Sequence, residues 1–200
     1  MSKSMLRNDM KMRLSSLNQD SYLPYSTKIE NRLLIEESVK NSSVIGLTIS
    51  SFPEVNTEGV IKRLWELGKT VVVPKCTPID RSMTFYKIDS YDQLETVYLQ
   101  LMEPNPRLTV AVTPADIDLL IVPGIVYSKT GYRIGYGGGY YDRFMTNYAG
   151  QTLSIAFDFQ VVDKVITEVF DIPVDKIITN KEIILCKQNR EKEEKDEFSI

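Results

Sequence analysis

Histidine is missing from all 200 residues. Its absence excludes imidazole general bases, His-based nucleophilic triads and histidine-ligated zinc sites. What chemistry remains falls to carboxylates, lysine, arginine, tyrosine, backbone amides or a hard cation. Cysteine is scarce as well: Cys76 and Cys186 stand alone, in neither a metal-ligand spacing nor a redox pair. Both suit a reducing compartment and are expected in the core as small apolar residues. No segment approaches the roughly 18 apolar residues of a membrane span. Charges interrupt every apolar run in the opening "MSKSMLRNDMKMRLSSLNQD", so the protein is expected to be cytoplasmic. A surplus of one sign is lacking too, since 24 basic and 27 acidic residues leave a net charge of -3. That balance exerts no long-range pull on nucleic acid or an anionic membrane. Any anion must be gripped locally.

What is present is ordinary globular composition, 42% hydrophobic and 26% charged, at a length that suits one domain with a sizeable core. Apolar residues at Leu6, Met10, Leu14 and Leu17 predict a helix over 5–17, ringed by Lys3, Arg7, Lys11 and Arg13. A second helix is expected from Ser26, a candidate cap, to about Lys40. "SVIGLTIS" (43–50) reads as a buried strand, 57–67 as a helix closed by Gly68, and "TVVVP" as the next strand. Further strands are expected at 83–88, 119–123, 153–157 and 182–186, with a helix at 140–148. This alternation predicts a single three-layer α/β domain, a largely parallel sheet with helices on both faces. The proline-rich stretch 103–118 is expected to be an irregular excursion over the sheet edge. The domain is taken as residues 1–187, and the mixed-charge tail 188–200 as frayed or loosely helical.

One phosphate-loop signal is false. "GKT" at Gly68–Thr70 has Arg63 where a Walker A loop needs its first glycine, and it runs from helix to strand rather than the reverse. The stretch "VPGIVYSKTGYRIGYGGGYYDRF" (122–144) has the opposite geometry. It holds six of the ten glycines, follows the strand "LLIV" and leads into a helix, at the strand end where ligands bind in open α/β sheets. Gly135, Gly137, Gly138 and Gly139 let successive N–H groups converge as an anion-binding nest, with a helix N-terminus behind them. Arg133 can offer a fork of donors to phosphate, and Asp142 can hold a cation against it. A flexible glycine hairpin is the bland alternative, but a hinge has no use for an arginine and a carboxylate at its ends. The spacing fits neither the dinucleotide fingerprint nor a Walker loop.

This stretch closely resembles the signature of the 5-formyltetrahydrofolate cyclo-ligases, also called methenyltetrahydrofolate synthetases. "KSMLR", "SSFPEVNT", "LMEP", "AFDFQ" and "FDIPVDKIIT" follow in family order, so the likeness spans most of the chain. The resemblance implies a Rossmann-like fold similar to that of sugar-phosphate isomerases and CoA-transferases. It also implies closure of 5-formyltetrahydrofolate to 5,10-methenyltetrahydrofolate, with ATP as co-substrate and Mg²⁺ as cofactor. Small molecules are then the expected partners, with no nucleic acid or membrane, and the chain is expected to be a monomer.

By motif match, the resemblance places Lys3, Ser4, Met5, Leu6 and Arg7 on ATP, together with Arg133, Ile134, Gly135, Tyr136, Gly137, Gly138, Gly139, Tyr140 and Tyr141. Arg133 and Tyr141 take the catalytic roles. Asp142 and Asp171 take Mg²⁺. Ile49, Glu54, Tyr136, Gly137, Gly138, Gly139 and Tyr140 take the folate, with Gln160 a weaker pocket candidate. Tyr136 departs from the signature, which usually has a basic residue there, so one phosphate-directed charge is missing. Read without the family, Lys3 and Arg7 are a solvated helix face, Glu54 an acid near a helix start and Asp171 a loop carboxylate. Two other classes stay open on the residues alone: a nucleotide- or phosphosugar-binding regulator, and a sugar-phosphate isomerase or acyl-CoA transferase.

Overall fold

A computed structural model describes residues 2–97 and 101–197. The chain opens with α1 (Lys3–Ser15), whose cap Ser2 accepts from the Met5 N–H at 3.2 Å. Next come α2 (Gln19–Ile35) and α3 (Glu37–Asn41). The expected start at Ser26 is corrected. Asn18 caps α2 by accepting from Ser21 N at 2.9 Å, and the helix runs through Pro24. Proline is a poor guide here because its cost is one lost bond to Asp20, which packing of the helix offsets. Ser26 is buried within α2, where its hydroxyl accepts instead from Asn56 N.

The sheet follows: β1 (Val44–Gly46), α4 (Thr57–Glu66), β2 (Thr70–Thr77) and β3 (Ser82–Ile88). Thus Gly68–Thr70 does run from helix into strand. Short strands β4 (Leu94–Thr96) and β5 (Met102–Pro104) pair with each other, and β6 (Val110–Val112) adds to β3. The stretch 103–118 therefore holds the end of β5 and all of β6 within a path that is otherwise turns and loop; Pro104 closes β5, and Pro106 and Pro114 lie outside the strands, as edge positions allow. The chain continues through β7 (Leu119–Ile121), β8 (Val126–Ser128), β9 (Arg133–Ile134), α5 (Tyr140–Met145) and β10 (Gln151–Ala156). It ends with β11 (Val161–Val162), β12 (Lys176–Thr179), β13 (Ile183–Leu185) and α6 (Cys186–Glu197). The expected boundary after 187 falls inside α6, where Asn189 and Arg190 donate to the carbonyls of Lys129 and Thr130 at 2.9 and 2.6 Å. The last three residues of the expected tail, 198–200, lie outside the described residues.

Eight strands form one sheet in the order β13-β12-β10-β7-β1-β2-β3-β6. The central pairs β12/β10, β10/β7, β7/β1 and β1/β2 are parallel, and the edges are antiparallel. Alternation of side chains divides the core in two. Val71, Val73, Leu119, Ile121 and Ile178 face α1, α2 and α4 through Met10, Leu14, Ile29, Leu33, Ile61 and Leu64. Val72, Leu120, Val122 and Ile177 face the other way, toward Met145 of α5 and Cys186 of α6. Each such fully buried aliphatic side chain contributes about 1.5–3 kcal/mol, which fixes the register of the central strands. Three layers result, as the apolar runs imply. A separate ladder, β11-β8-β9, stands beside the sheet and carries Arg133. Among the described residues no helix is long and apolar enough to cross a membrane.

Candidate functional site

The carboxyl ends of β1 and β2, the glycine run, α1 and the loop before β12 enclose a cavity of about 790 Å³. That volume is within the roughly 300–1,000 Å³ range of small-molecule sites. Its floor is the run Arg133–Asp142. Gly137 and Gly139 have φ values of 101° and 69°, a conformation that a Cβ would strain and glycine does not. A Cβ on Gly138 would meet the Tyr140 ring at 2.6 Å. The bare backbone is therefore required by shape. α5 is six residues long, shorter than the expected 140–148, with Gly139 as its left-handed N-cap.

α1 lies over this loop. Arg7 donates through Nε to the Gly135 carbonyl at 2.7 Å. Lys3 donates to Asp171 at 2.6 Å and Glu168 at 2.7 Å. Burial works against the charged form of Lys3, but the hydrogen bonds and charges of Asp171 and Glu168 outweigh it and raise its pKa. Arg7 and Lys3 are thus cavity residues rather than a free helix face. Ser4 and Met5 are exposed and Leu6 packs on the core, and none of the three side chains lines the cavity.

Arg133 is 4% exposed, with its Nη1 donating to the Ile172 carbonyl at 2.6 Å and its Nη2 to Asp142 at 3.0 Å. Asp142 also accepts from the Ile172 N–H at 3.2 Å. The Ile172 residue is therefore bracketed at both ends, which brings the backbone of Asp171, one residue along, near the Asp142 carboxylate, while the Asp171 carboxylate itself accepts from Lys3 and from the Glu168 N–H. Both carboxylates line the cavity. In this geometry the Arg133 fork is spent on the chain and the arginine forms the frame of the wall. The oxygens suit a hard cation. Among the described residues no group of three or more metal-type side chains converges. Two carboxylates that leave the remaining positions to water and phosphate fit Mg²⁺, which demands no all-protein cage.

On the opposite wall, Thr57 pins the loop after β1: its hydroxyl donates to the Thr48 carbonyl at 2.9 Å and accepts from Ser50 N at 2.9 Å. Ile49 and Glu54 of that loop line the cavity. The Tyr136 hydroxyl donates to Glu54, and Lys11 lies 4.9 Å from the Tyr136 ring centre. Burial, then the Glu54 charge, push the Tyr136 phenol well up. Gln160 is buried beneath, its amide committed to Phe157 N and the Ile125 carbonyl, beside a small cavity of about 40 Å³ that Glu54 and Tyr136 also reach.

Tyr140 and Tyr141 line the large cavity. The Tyr141 hydroxyl is buried with no hydrogen-bond partner among the described residues. Burial raises its pKa well above the usual phenol range, so it persists as a neutral donor. Cys76, expected in the core, is instead half-buried on the cavity wall, whereas Cys186 is buried as expected. Arg81, Glu103, Arg143, Glu168 and Phe170 also line the space and were not singled out by sequence. Arg143, Glu168 and Phe170 stand within three residues of Asp142 or Asp171, which was a usable signal. Arg81 carried none.

The 5-formyltetrahydrofolate cyclo-ligase family model matches residues 1–180. A 5-formyltetrahydrofolate cyclo-ligase of Escherichia coli (strain K12) is 28% identical over 179 residues, 87% of this chain and 98% of that protein. The Mus musculus cyclo-ligase is 25% identical over 184 residues, 86% of this chain and 91% of its own. Among solved structures, the 5,10-methenyltetrahydrofolate synthetase of Aquifex aeolicus superposes with a TM-score of 0.82 at 28% identity, covering 94% of each chain.

Proposed function

The chain belongs to the 5-formyltetrahydrofolate cyclo-ligase family, and from that premise we propose how its cavity closes 5-formyltetrahydrofolate to 5,10-methenyltetrahydrofolate with ATP as co-substrate. The formyl oxygen is a poor leaving group. Transfer of the γ-phosphoryl group to it breaks the bond to ADP and turns the oxygen into a phosphate ester. The N10 lone pair then attacks the formyl carbon, the C–O bond breaks, and phosphate departs with the N10 proton. None of these steps needs an imidazole, in keeping with the absence of histidine. Phosphoryl transfer asks chiefly for alignment and neutralised charge.

In this reading the amides of Gly135–Gly139 hold the phosphates, with Lys3 and Arg7 closing over them from α1. Asp142 and Asp171 would hold Mg²⁺, which when bound would supply charge neutralisation for the phosphates. Arg133 keeps both carboxylates in place. Glu54 accepts the N–H donors of the pterin, Ile49 and Tyr140 flank the ring, and Tyr136 sits between the two substrates. Tyr141 supplies a neutral hydroxyl toward the oxygen that gains negative charge. The chain works as a monomer in the cytoplasm.

The observation that carries the reading is that the glycine loop and Glu54 share one cavity of about 790 Å³. Absorbance tests it, because the methenyl product absorbs at longer wavelength than the substrate. The band should grow only when ATP, Mg²⁺ and 5-formyltetrahydrofolate are all present. A folded chain that produces no such band with all three refutes it.

A further inference from the structure

Five cationic side chains line the cavity: Lys3, Arg7, Arg81, Arg133 and Arg143. Four are engaged by the chain itself. Lys3 is held by Asp171, Arg7 by the Gly135 carbonyl, Arg133 by Asp142, and Arg143 donates to the Gly138 carbonyl at 3.0 Å. Arg81 alone has no hydrogen bond or ion pair among the described residues. Glu103, a carboxylate that lines the same cavity, is committed to Lys75 and to the Cys76 N–H. Arg81 also has a φ of 57°, an uncommon conformation for a side-chain-bearing residue that concentrates at functional positions. Asp80 fixes the turn by accepting from Ser82 N at 2.9 Å.

Its place in the cavity gives it a ligand. β1 and β2 run parallel, with Gly46 opposite Val72, so the end of β2 continues beside the loop that carries Ile49 and Glu54. Pro74 and Cys76 share one face of β2 and line the cavity, while Lys75 between them does not. Val73 to Cys76 spans roughly 10 Å at about 3.3 Å per residue. With Met102 these residues form an apolar track that leads from Glu54 to the β2–β3 turn, where Arg81 stands. The cations assigned to the triphosphate, Lys3 and Arg7, enter from elsewhere, on α1.

The geometry points to Arg81 as the residue that binds the glutamyl carboxylates of the folate, with the benzoyl ring lying along Pro74, Cys76 and Met102. This rests on the folate reading above and extends it to the tail of the substrate. A guanidinium matches a carboxylate with two parallel donors, which a flexible ammonium does not. Arg81 is therefore a specificity-determining residue for folates that carry the amino-acid tail.

Calorimetric titration of wild type, Arg81→Gln and Arg81→Lys with 5-formyltetrahydrofolate, and with the analogue that ends at the benzoate and lacks glutamate, tests it. Arg81→Gln should weaken binding of the full substrate about tenfold, Arg81→Lys less, and neither should alter binding of the shortened analogue. In turnover, the KM for folate should rise with kcat and the KM for ATP unchanged. Equal losses on both folates, no loss on either, or a rise confined to the KM for ATP would overturn the assignment. Because binding is read without catalysis, a wild type that binds the folates yet makes no methenyl product refutes the catalytic reading and leaves this test intact. Arg81 lies on an exposed turn, and an unchanged thermal midpoint verifies that the variants are folded.

Discussion

Tyr136 and Glu54 are 82 residues apart in sequence and joined by a hydrogen bond across the cavity, the tyrosine hydroxyl donating to the carboxylate. The bond ties the loop assigned to phosphate to the acid assigned to the pterin. A folate that offers one N–H group to each oxygen of Glu54 competes with this hydroxyl for Oε1.

Tyr136→Phe should therefore tighten folate binding. A hydrogen bond to a charged group contributes about 1.5–3 kcal/mol, but part of that is regained when substrate replaces it, so a three- to tenfold lower Kd is expected. The KM for ATP should stay where it is. Weaker folate binding in a calorimetric titration would mean that the hydroxyl contacts substrate instead of competing with it.

Tyr141→Phe separates stability from catalysis. The buried hydroxyl has no partner among the described residues, and such a group costs about 1–3 kcal/mol. Removing it should raise the unfolding free energy by about 1 kcal/mol in a urea titration while kcat falls at least tenfold. Unchanged kcat would remove Tyr141 from the chemistry.

Arg133→Ala is expected to abolish turnover and to weaken the fold. Its side chain is 4% exposed, with the guanidinium bonded to both Asp142 and the Ile172 carbonyl, so its loss leaves a partly buried carboxylate unpaired. Removing one partner of a buried pair costs about 3–5 kcal/mol; Asp142 remains 25% exposed, which places the loss near the lower end, about 3 kcal/mol. A variant as stable as wild type in denaturant would contradict the framing role.

For Asp142→Asn the metal is the readout. The Mg²⁺ concentration that half-restores activity after chelation should rise about tenfold, with the folate KM little changed. An identical Mg²⁺ titration would take Asp142 out of the metal site.

Cys76 lines the cavity yet should react slowly. Burial, and then the charge of Glu103, push its thiol up to about 11. A raised thiol pKa keeps the proton on below that pH, so the thiolate fraction at pH 8 is about one in a thousand. Iodoacetamide labelling followed by mass spectrometry should show little modification at pH 8 and a steep rise toward pH 11. Rapid labelling at neutral pH would show a thiol more activated than its surroundings allow.

Much of this was readable from sequence where one residue's neighbours decide its role. The apolar runs at 71–73 and 119–122 could only be strands covered on both faces, and the closely spaced glycines at 135–139 could only be a loop that brings backbone to a ligand. Boundaries were less legible. Pro24 hid the first turns of α2, and 103–118 seemed too rich in proline for the strands it contributes to the edge. Pairings between distant residues were not legible at all. Nothing near Arg133 announces that Ile172 and Asp142 consume its donors, and nothing near Asp80 or Ser82 announces that Arg81 projects into a cavity built largely by other segments.

The first helix imposes an order on biosynthesis. Arg7 finds its carbonyl on Gly135 and Lys3 its carboxylate on Asp171, 128 and 168 positions downstream. A ribosome that makes about 5–20 residues per second exposes the helix long before either anchor exists. The catalytic chamber is thus among the final features to assemble, and a nascent chain halted before residue 171 would carry α1 and the glycine loop but not the carboxylate that anchors Lys3.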